Sequence, residues 1–459
     1  MQSIVHILNK FEMERVSLGS FIQGLLAPLV AFLLVPALGV RGMAQTLEGT
    51  KTEPVSQAES RLTMDQAIEE AIQNNLNLLA ERLNLSIADA RLITAKLKPN
   101  PVFSFSGDHL DLAGTGFSEI NGGGPPEISW RVDVPIERGR KRDLRIATAN
   151  YEREIAGARL VDSLRKLKLD VTLGCIEVIQ AKANLALARD NLRTFEELVQ
   201  TNAVRVKAGS IAPLDLTRSQ VAMLQFRRNV RQAELSLLTT KTKLQNLLGR
   251  KVLLDDFDLL DELKAPLHLA ELQLGFLQEL ALERRPDLHV LELTQARSQS
   301  ELRLELALGK VDYTWGAEYR RQQGINGKSN SLGFFFSVPL PFYNRNQGEI
   351  ARVRAEQDQI QRQMQALKAQ MQMEVKTAYE EFRSGRELVE SIERDLLKPA
   401  EQARDTSAYV YRSGASSLIE FLDAQRAFNE TMQSYQEAQA SYRRALVQLN
   451  ATVGKEVIQ

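Results

Sequence analysis

The chain is written twice. Residues 71–107 align without a gap on residues 281–317. Residues 130–149, "WRVDVPIERGRKRDLRIATA", lie on 334–353, "FFFSVPLPFYNRNQGEIARV", with Val134-Pro135 over Val338-Pro339. Residues 206–220, "VKAGSIAPLDLTRSQ", lie on 411–425, "YRSGASSLIEFLDAQ", with Gly209 over Gly414, Asp215 over Glu420 and Gln220 over Gln425. Each copy reads helix, strand, loop, strand, very long helix, Gly-containing turn, long helix. A duplicated order constrains the fold before any single residue is weighed. We therefore expect repeat 1 at 62–250, a linker at 251–274, repeat 2 at 275–455 and a tail at 456–459.

The long apolar run 21–40 follows Lys10 and Arg15 and precedes Gly42-Met43-Ala44. That pattern predicts a signal peptide over 1–44, cut after Ala44, with an N-terminal extension over 45–61. The alternative is an N-terminal membrane anchor, which Gly24, Pro28, Pro36 and Gly39 weaken. Downstream, no apolar run approaches the roughly 20 residues of a spanning helix. A secreted chain of this kind is either soluble or crosses a membrane as strands.

Four short segments alternate in polarity. Phe103 and Phe105 alternate with Ser104 and Ser106; Trp130, Val132 and Val134 alternate with Arg131 and Asp133. Val311, Tyr313, Trp315, Ala317 and Tyr319 alternate with Asp312, Thr314, Glu318 and Arg320; Leu332, Phe334, Phe336 and Val338 alternate with Gly333, Phe335 and Ser337. Period two predicts strands at about 101–108, 128–136, 311–320 and 332–340, each with one apolar and one mostly polar face. Their length suits tilted strands crossing a bilayer. The connecting stretches 108–127 and 320–330 are polar and Gly-rich and read as exposed loops. For one strand alone a soluble sandwich explains the pattern as well. Four strands cannot close a barrel with a lumen, and an open edge in lipid leaves backbone groups unpaired. Membrane strands in this number therefore require several copies to pool them.

Residues 140–208 contain no proline and only Gly157 and Gly174; residues 349–413 are interrupted only by Gly385 and Pro399. Helices of that length are on the order of 100 Å long. Leu160, Leu164, Leu167, Val171, Cys175 and Val178 recur at three-to-four spacing, a narrow seam of the kind that packs long helices together. Each rod reverses at a glycine turn, about 206–213 and 411–418, where Gly209 and Gly414 supply the left-handed helix end. Pro213 opens one returning helix, and Ser416 or Ser417 caps the other. Each half is thus a helical hairpin whose tip lies far from its strands.

With these features placed, the chain resembles the outer membrane factor (TolC-like) family of envelope efflux channels from about Leu62 to Gly454. "LTMDQAIEEAIQNNLNL" looks like the family's opening helix. "VPIERGRKR" and "PLPFYNRNQGEIARVRAE" look like the cobalt-zinc-cadmium efflux branch, with Arg138 and Arg140 where that branch is expected to carry Leu and Gly. The resemblance implies a mainly α fold with a membrane β-barrel, in which a homotrimer pools four strands per subunit. It implies a tapering periplasmic helical barrel whose tips meet a periplasmic adaptor (membrane fusion) protein. That adaptor joins an inner-membrane pump of the resistance-nodulation-division type, exporting small solutes such as divalent heavy-metal cations. Drug efflux and type I protein secretion are alternatives within the family. A secreted coiled-coil scaffold is the alternative outside it.

A conduit needs no catalytic set. His6, His109, His268 and His289 stand apart, and no nucleophile or Cys-pair motif appears, so neither an enzyme nor a cofactor is expected. The single Cys175 cannot form an internal disulfide, and no soft metal-ligand set is present. Lys+Arg and Asp+Glu are both 58, which gives no basic surface for nucleic acid.

Glu420 and Asp423, one helical turn apart, resemble the acidic positions of the family's periplasmic gate. Their counterparts are Asp215 and Arg218, and a cross-repeat pair from Arg218 to Glu420 or Asp423 is an expected latch. Val206, Lys207, Gly209, Tyr411, Arg412 and Gly414 are the expected adaptor-docking tips. Arg131, Asp133, Asp312, Glu318 and Arg320 are expected to face a lumen. Trp130, Tyr313, Trp315 and Tyr319 are expected at the membrane interface, in contact with outer-membrane lipid.

Overall fold

The computed structural model describes residues 61–110, 112–114, 116, 126–264, 272–324 and 327–457. The expected signal peptide and most of the N-terminal extension lie outside them. In chain order the elements are β1 (Arg61–Leu62), α1 (Met64–Asn74), α2 (Leu76–Lys96), β2 (Val102–Asp108), β3 (Glu127–Ile136), α3 (Lys141–Lys207) and α4 (Pro213–Leu247). There follow β4 (Asp258–Leu259), α5 (Leu274–Arg284), α6 (Pro286–Leu308), β5 (Tyr313–Gly324), β6 (Gly327–Ser337) and α7 (Gln347–Ser391). A π-helical turn (Ile392–Leu396) leads to α8 (Leu397–Arg412) and α9 (Leu418–Val453). The protein is mainly helical.

β2, β3, β5 and β6 form one antiparallel sheet in that order. The second hairpin departs from the sequence expectation. The expected loop at 320–330 is mostly strand: β5 and β6 stay paired through Arg321↔Asn330 and Gln322↔Ser329. Polar residues there end the apolar alternation while the backbone ladder continues, so hydropathy marks where apolar surface stops and not where pairing stops. At the other end, β5 starts at Tyr313 and not at Val311, and β6 ends at Ser337.

α3 is an unbroken helix of 67 residues. One stretch of it is long and apolar enough to cross a membrane, although no such stretch is expected from the sequence. In the structure Val171, Cys175, Val178 and Ile179 of this helix are buried in a core with Ala67, Ala71, Leu244, Leu248 and Phe257. The apolar residues serve helix packing, and burial pushes the Cys175 thiol up to about 12. A second core joins α5, α7 and α9 through Leu277, Phe382, Tyr442 and Leu449. Gly385 does not interrupt α7. A Cβ there would press on Tyr442, so the glycine permits close approach of α7 and α9. The break lies instead at Ile392–Leu396, where Leu397 donates to the Ile392 carbonyl. That wider turn immediately precedes Pro399, whose ring would crowd the carbonyl four residues back.

Both rods close in the same way. Gly209 (φ 71°) and Gly414 (φ 82°) adopt the left-handed conformation. Their N–H groups reach Val206 and Tyr411, and Ser210 and Ala415 reach back to Arg205 and Val410. This double bond pattern satisfies the last carbonyls of each helix. Pro213 is at the first turn of α4; Ser417 and Glu420 form a reciprocal capping box on α9.

Buried ion pairs tie the helices together beside the cores. Arg285 holds both Asp287 and Glu374. Burial pushes the Asp287 carboxyl up, but the Arg285 guanidinium outweighs it and leaves Asp287 below the usual range. A carboxyl depressed in the folded state stabilises above its unfolded value of about 3.9 and ceases to do so as pH falls through the folded value. Melting temperature read by circular dichroism should therefore hold between about pH 7 and 5 and drop below about pH 4. Asp287→Asn should melt lower at neutral pH and show a shallower acid drop.

Candidate functional site

Directly opposed residues of an antiparallel sheet share a face, so the register assigns every strand side chain to one side. One face carries Phe105, Trp130, Tyr319 and Leu332 in one row, then Phe103, Val132, Ala317 and Phe334, then Val134, Trp315 and Phe336. The other carries Ser106, Ser129, Arg320 and Ser331, then Ser104, Arg131, Glu318 and Gly333. Exposure is inverted relative to a water-soluble sheet. Phe334 is 84% exposed and Leu332 76%, whereas Glu318 is 8% exposed and Ser129 7%. An apolar surface of this extent left open, beside a polar face whose central strands are half-buried, suits a sheet whose outer solvent is hydrocarbon.

The charged face is satisfied within itself. Arg131 pairs with Asp133 at 2.8 Å. Arg320 bridges Glu318 at 2.9 Å and Glu127 at 3.1 Å. The Arg131 guanidinium also lies 4.2 Å over the ring of Phe335, an aromatic residue that alternation places on the polar side. Gly316 makes room for this: a Cβ there would collide with the Asp133 carboxylate. Phe335, which the alternation places on the polar side, belongs to this face, and so do Glu127 and Ser129, which the register adds. Asp312 does not. It precedes β5, accepts from the Arg138 N–H at 2.8 Å and pairs with Lys141 at 2.7 Å. The alternation ran one residue past the strand, and Asp312 stands just before β5 in an ion pair with Lys141.

The four expected interface aromatics stand on the apolar face at two heights. Trp130 stacks on Tyr319 with centroids 5.5 Å apart, with Phe105 beside them. Lower down, Phe336 touches both Trp315 and Tyr313 at 4.9 and 5.3 Å.

At the opposite end, the tips of α3/α4 and α8/α9 meet. Phe195 of α3 stacks on Phe226 of α4 and packs with Leu198, Tyr411, Leu418 and Phe421. Tyr411 is 5% exposed, and its hydroxyl donates to Asn202 at 2.8 Å. Expected as a docking residue, Tyr411 is a structural link between the two hairpins, since a buried ring offers no surface to a partner. Arg205 donates to the carbonyls of Tyr411 and Arg412, and Gln425 donates to Asn191 and Asn429 in a buried amide cluster. Asn191 and Asn202 lie in the seam with Phe195 and Leu198. A polar residue inside an apolar seam is the sequence signal that could have found them. A cleft of about 350 Å³ between the tips is lined by Arg205, Asp215, Arg218, Gly414 and Ser417 among others.

The expected latch is not made inside the subunit. Arg218 pairs with Asp215 on its own helix at 3.6 Å. Glu420 is occupied as the capping-box partner of Ser417, and Asp423 faces Arg426 at 3.8 Å. Val206, Lys207, Gly209, Arg412 and Gly414 stand at the ends of the two hairpins. Among the described residues no cluster of His, Cys, Asp and Glu could hold a metal ion.

The outer membrane efflux protein family model matches residues 67–250 and 277–455. The chain belongs to the outer membrane efflux protein family. It is an efflux channel protein of the outer membrane. It is 26% identical over 398 residues to the cobalt-zinc-cadmium resistance protein CzcC of Cupriavidus metallidurans, covering 84% of this chain and 88% of that one. It is 24% identical to the pyoverdine export outer membrane protein OpmQ of Pseudomonas putida, covering 85% of each. Its fold resembles that of a Pseudomonas aeruginosa membrane protein, with TM-score 0.72 at 18% identity over 85% of this chain and 90% of that one. The fold of CusC is similar, with TM-score 0.68 at 17% identity over 86% and 92%.

The inverted sheet separates lipid from water contact by experiment. Phe334→Arg alters an exposed side chain, a change usually within about 0.5 kcal/mol at a surface facing water. On a lipid-facing strand it should cost roughly 2–4 kcal/mol, read as a lower denaturant midpoint for the vesicle-inserted protein.

Proposed function

We propose that three copies of this chain pool their four-stranded sheets into one closed β-barrel in the outer membrane. Their helical hairpins then continue as a periplasmic tunnel, and the assembly exports divalent heavy-metal cations with a periplasmic adaptor and an inner-membrane pump. The observation that carries this reading is the inverted sheet with open edges at β2 and β6. Unpaired edge groups in hydrocarbon cost several kcal/mol each, and closure among copies removes them.

The helices supply matching seams. Leu76, Leu83, Ile87 and Leu97 of the α2 segment are exposed at heptad spacing, as are Leu214, Val221, Leu224, Leu235 and Leu238 of α4. Apolar seams of this kind are the surfaces by which long helices pack on partners, here those of a second copy.

In this reading Arg131, Asp133, Glu318 and Arg320 line the water-filled lumen. Glu420 and Asp423 form stacked acidic rings near the tips, where they attract cations and narrow the resting passage. Asp215 and Arg218 belong to the same constriction, with any latch formed between subunits. Gly209 and Gly414, with Val206, Lys207 and Arg412, present the two helix turns to the adaptor. The metal cargo is favoured by the branch-like "VPIERGRKR" and "PLPFYNRNQGEIARVRAE" segments and by the similarity to a cobalt-zinc-cadmium resistance protein. The wall has no fixed metal-binding set among the described residues, which suits passage over capture.

The test is a strain lacking this protein, challenged with zinc, cobalt and cadmium and with dyes and detergents. Selective metal sensitivity, cured by the wild-type gene and not by Gly414→Trp, is the expected result. Sensitivity to dyes and detergents without metals would replace the cargo while leaving the channel.

A further inference from the structure

The chain crosses between sheet and helices four times, and each crossing carries an exposed cation. Residues 97–101 enter β2 and hold Lys98; 137–140 leave β3 and hold Arg138; 309–312 enter β5 and hold Lys310; 338–346 leave β6 and hold Arg345. None of these four has a carboxylate partner among the described residues. The acids of the same crossings are turned inward and occupied: Glu137 pairs with Arg145, and Asp312 pairs with the buried Lys141. Positive charge is therefore left outward at these crossings.

Two further observations place these cations at the lipid boundary. Arg138 lies flat on Tyr313, 4.4 Å from the ring centroid, and donates to its hydroxyl. Tyr313 ends the apolar face on the helical side, so this guanidinium sits at the rim of the hydrocarbon-facing surface. After β6 the chain leaves Phe342 and Tyr343 exposed, the latter at 93%, beside Arg345. Aromatic rings next to basic side chains, directly beyond an apolar belt, match the chemistry of a headgroup layer.

We infer that Lys98, Arg138, Lys310 and Arg345, with Phe342 and Tyr343, form a collar that binds the anionic phospholipid headgroups of the periplasmic leaflet. The inference rests on the membrane placement of the sheet proposed above. The apolar face alone fixes depth only weakly along the strand axis. A basic collar at one end adds a polar stop, holding the helices clear of the bilayer and the sheet at one height. Each surface cation multiplies affinity for an anionic leaflet about fivefold, and salt weakens the effect.

The experiment uses the full chain in vesicles of equal parts phosphatidylethanolamine and phosphatidylglycerol. Lipids retained after detergent extraction are measured by mass spectrometry. The wild type should retain phosphatidylglycerol about fivefold over phosphatidylethanolamine at low salt, with the preference falling at high salt. Joint substitution of Lys98, Arg138, Lys310 and Arg345 by Gln should abolish the preference. The charge-preserving set Lys98→Arg, Arg138→Lys, Lys310→Arg and Arg345→Lys should keep it and guards against a folding defect. A wild type without preference, or a Gln variant that retains it, overturns the collar. Failure of the wild type to float with vesicles overturns the membrane placement as well, so the two failures are told apart.

Discussion

The open edges of the four-stranded sheet are the constraint on which the rest depends. β2 has all seven residues exposed, and β6 forms the other edge. In water such edges invite aggregation; in hydrocarbon each unpaired N–H and C=O is costlier still. In the proposed placement the apolar face meets lipid, lipid makes closure compulsory, and one four-stranded subunit cannot provide it. The exposed heptad seams of α2 and α4 then follow as the same requirement expressed in helices, since copies that pool strands must also bring their rods side by side.

Length and packing in the helical part answer to a different need. A 67-residue helix carries its apolar groups in a narrow seam, so stability is spread along the rod instead of being concentrated in one core. Three separate buried clusters reflect this: two near the short parallel β1–β4 pair and the α5 turn, and one at the tips. The tip cluster is small but densely cross-linked by Tyr411, Asn202, Arg205 and Gln425. The hairpin ends are therefore held as a defined surface, which a free pair of fraying helices would not give.

Much of this was legible in the residues. Long stretches without proline or glycine marked the rods, and Gly209 and Gly414 marked their ends, because helix length and termination are local properties. Strand alternation was legible because the two faces of the sheet differ in polarity. What the sequence hid was tertiary. Tyr411 looks like a surface aromatic beside a turn until α3 packs on it. Glu420 also completes a capping box that Ser417 three residues earlier spells, and the structure forms that local bond. Asp312 looks like part of a strand, although β5 begins one residue later and Asp312 pairs with Lys141. The 320–330 segment looks like a loop because pairing of polar residues leaves no hydropathic trace.

The central claim is that the sheet turns its apolar face to lipid and its charged face to water. Cysteines placed singly from Leu332 to Ser337 of β6, each carrying a spin label, test it directly in vesicles. Cys175 is buried with its thiol pushed up to about 12, so it adds little background labelling. Labels at 332, 334 and 336 should be relaxed by oxygen dissolved in lipid, and those at 333, 335 and 337 by a water-soluble nickel chelate, alternating with period two. Equal access of the chelate to all positions, or the opposite alternation, would contradict the account.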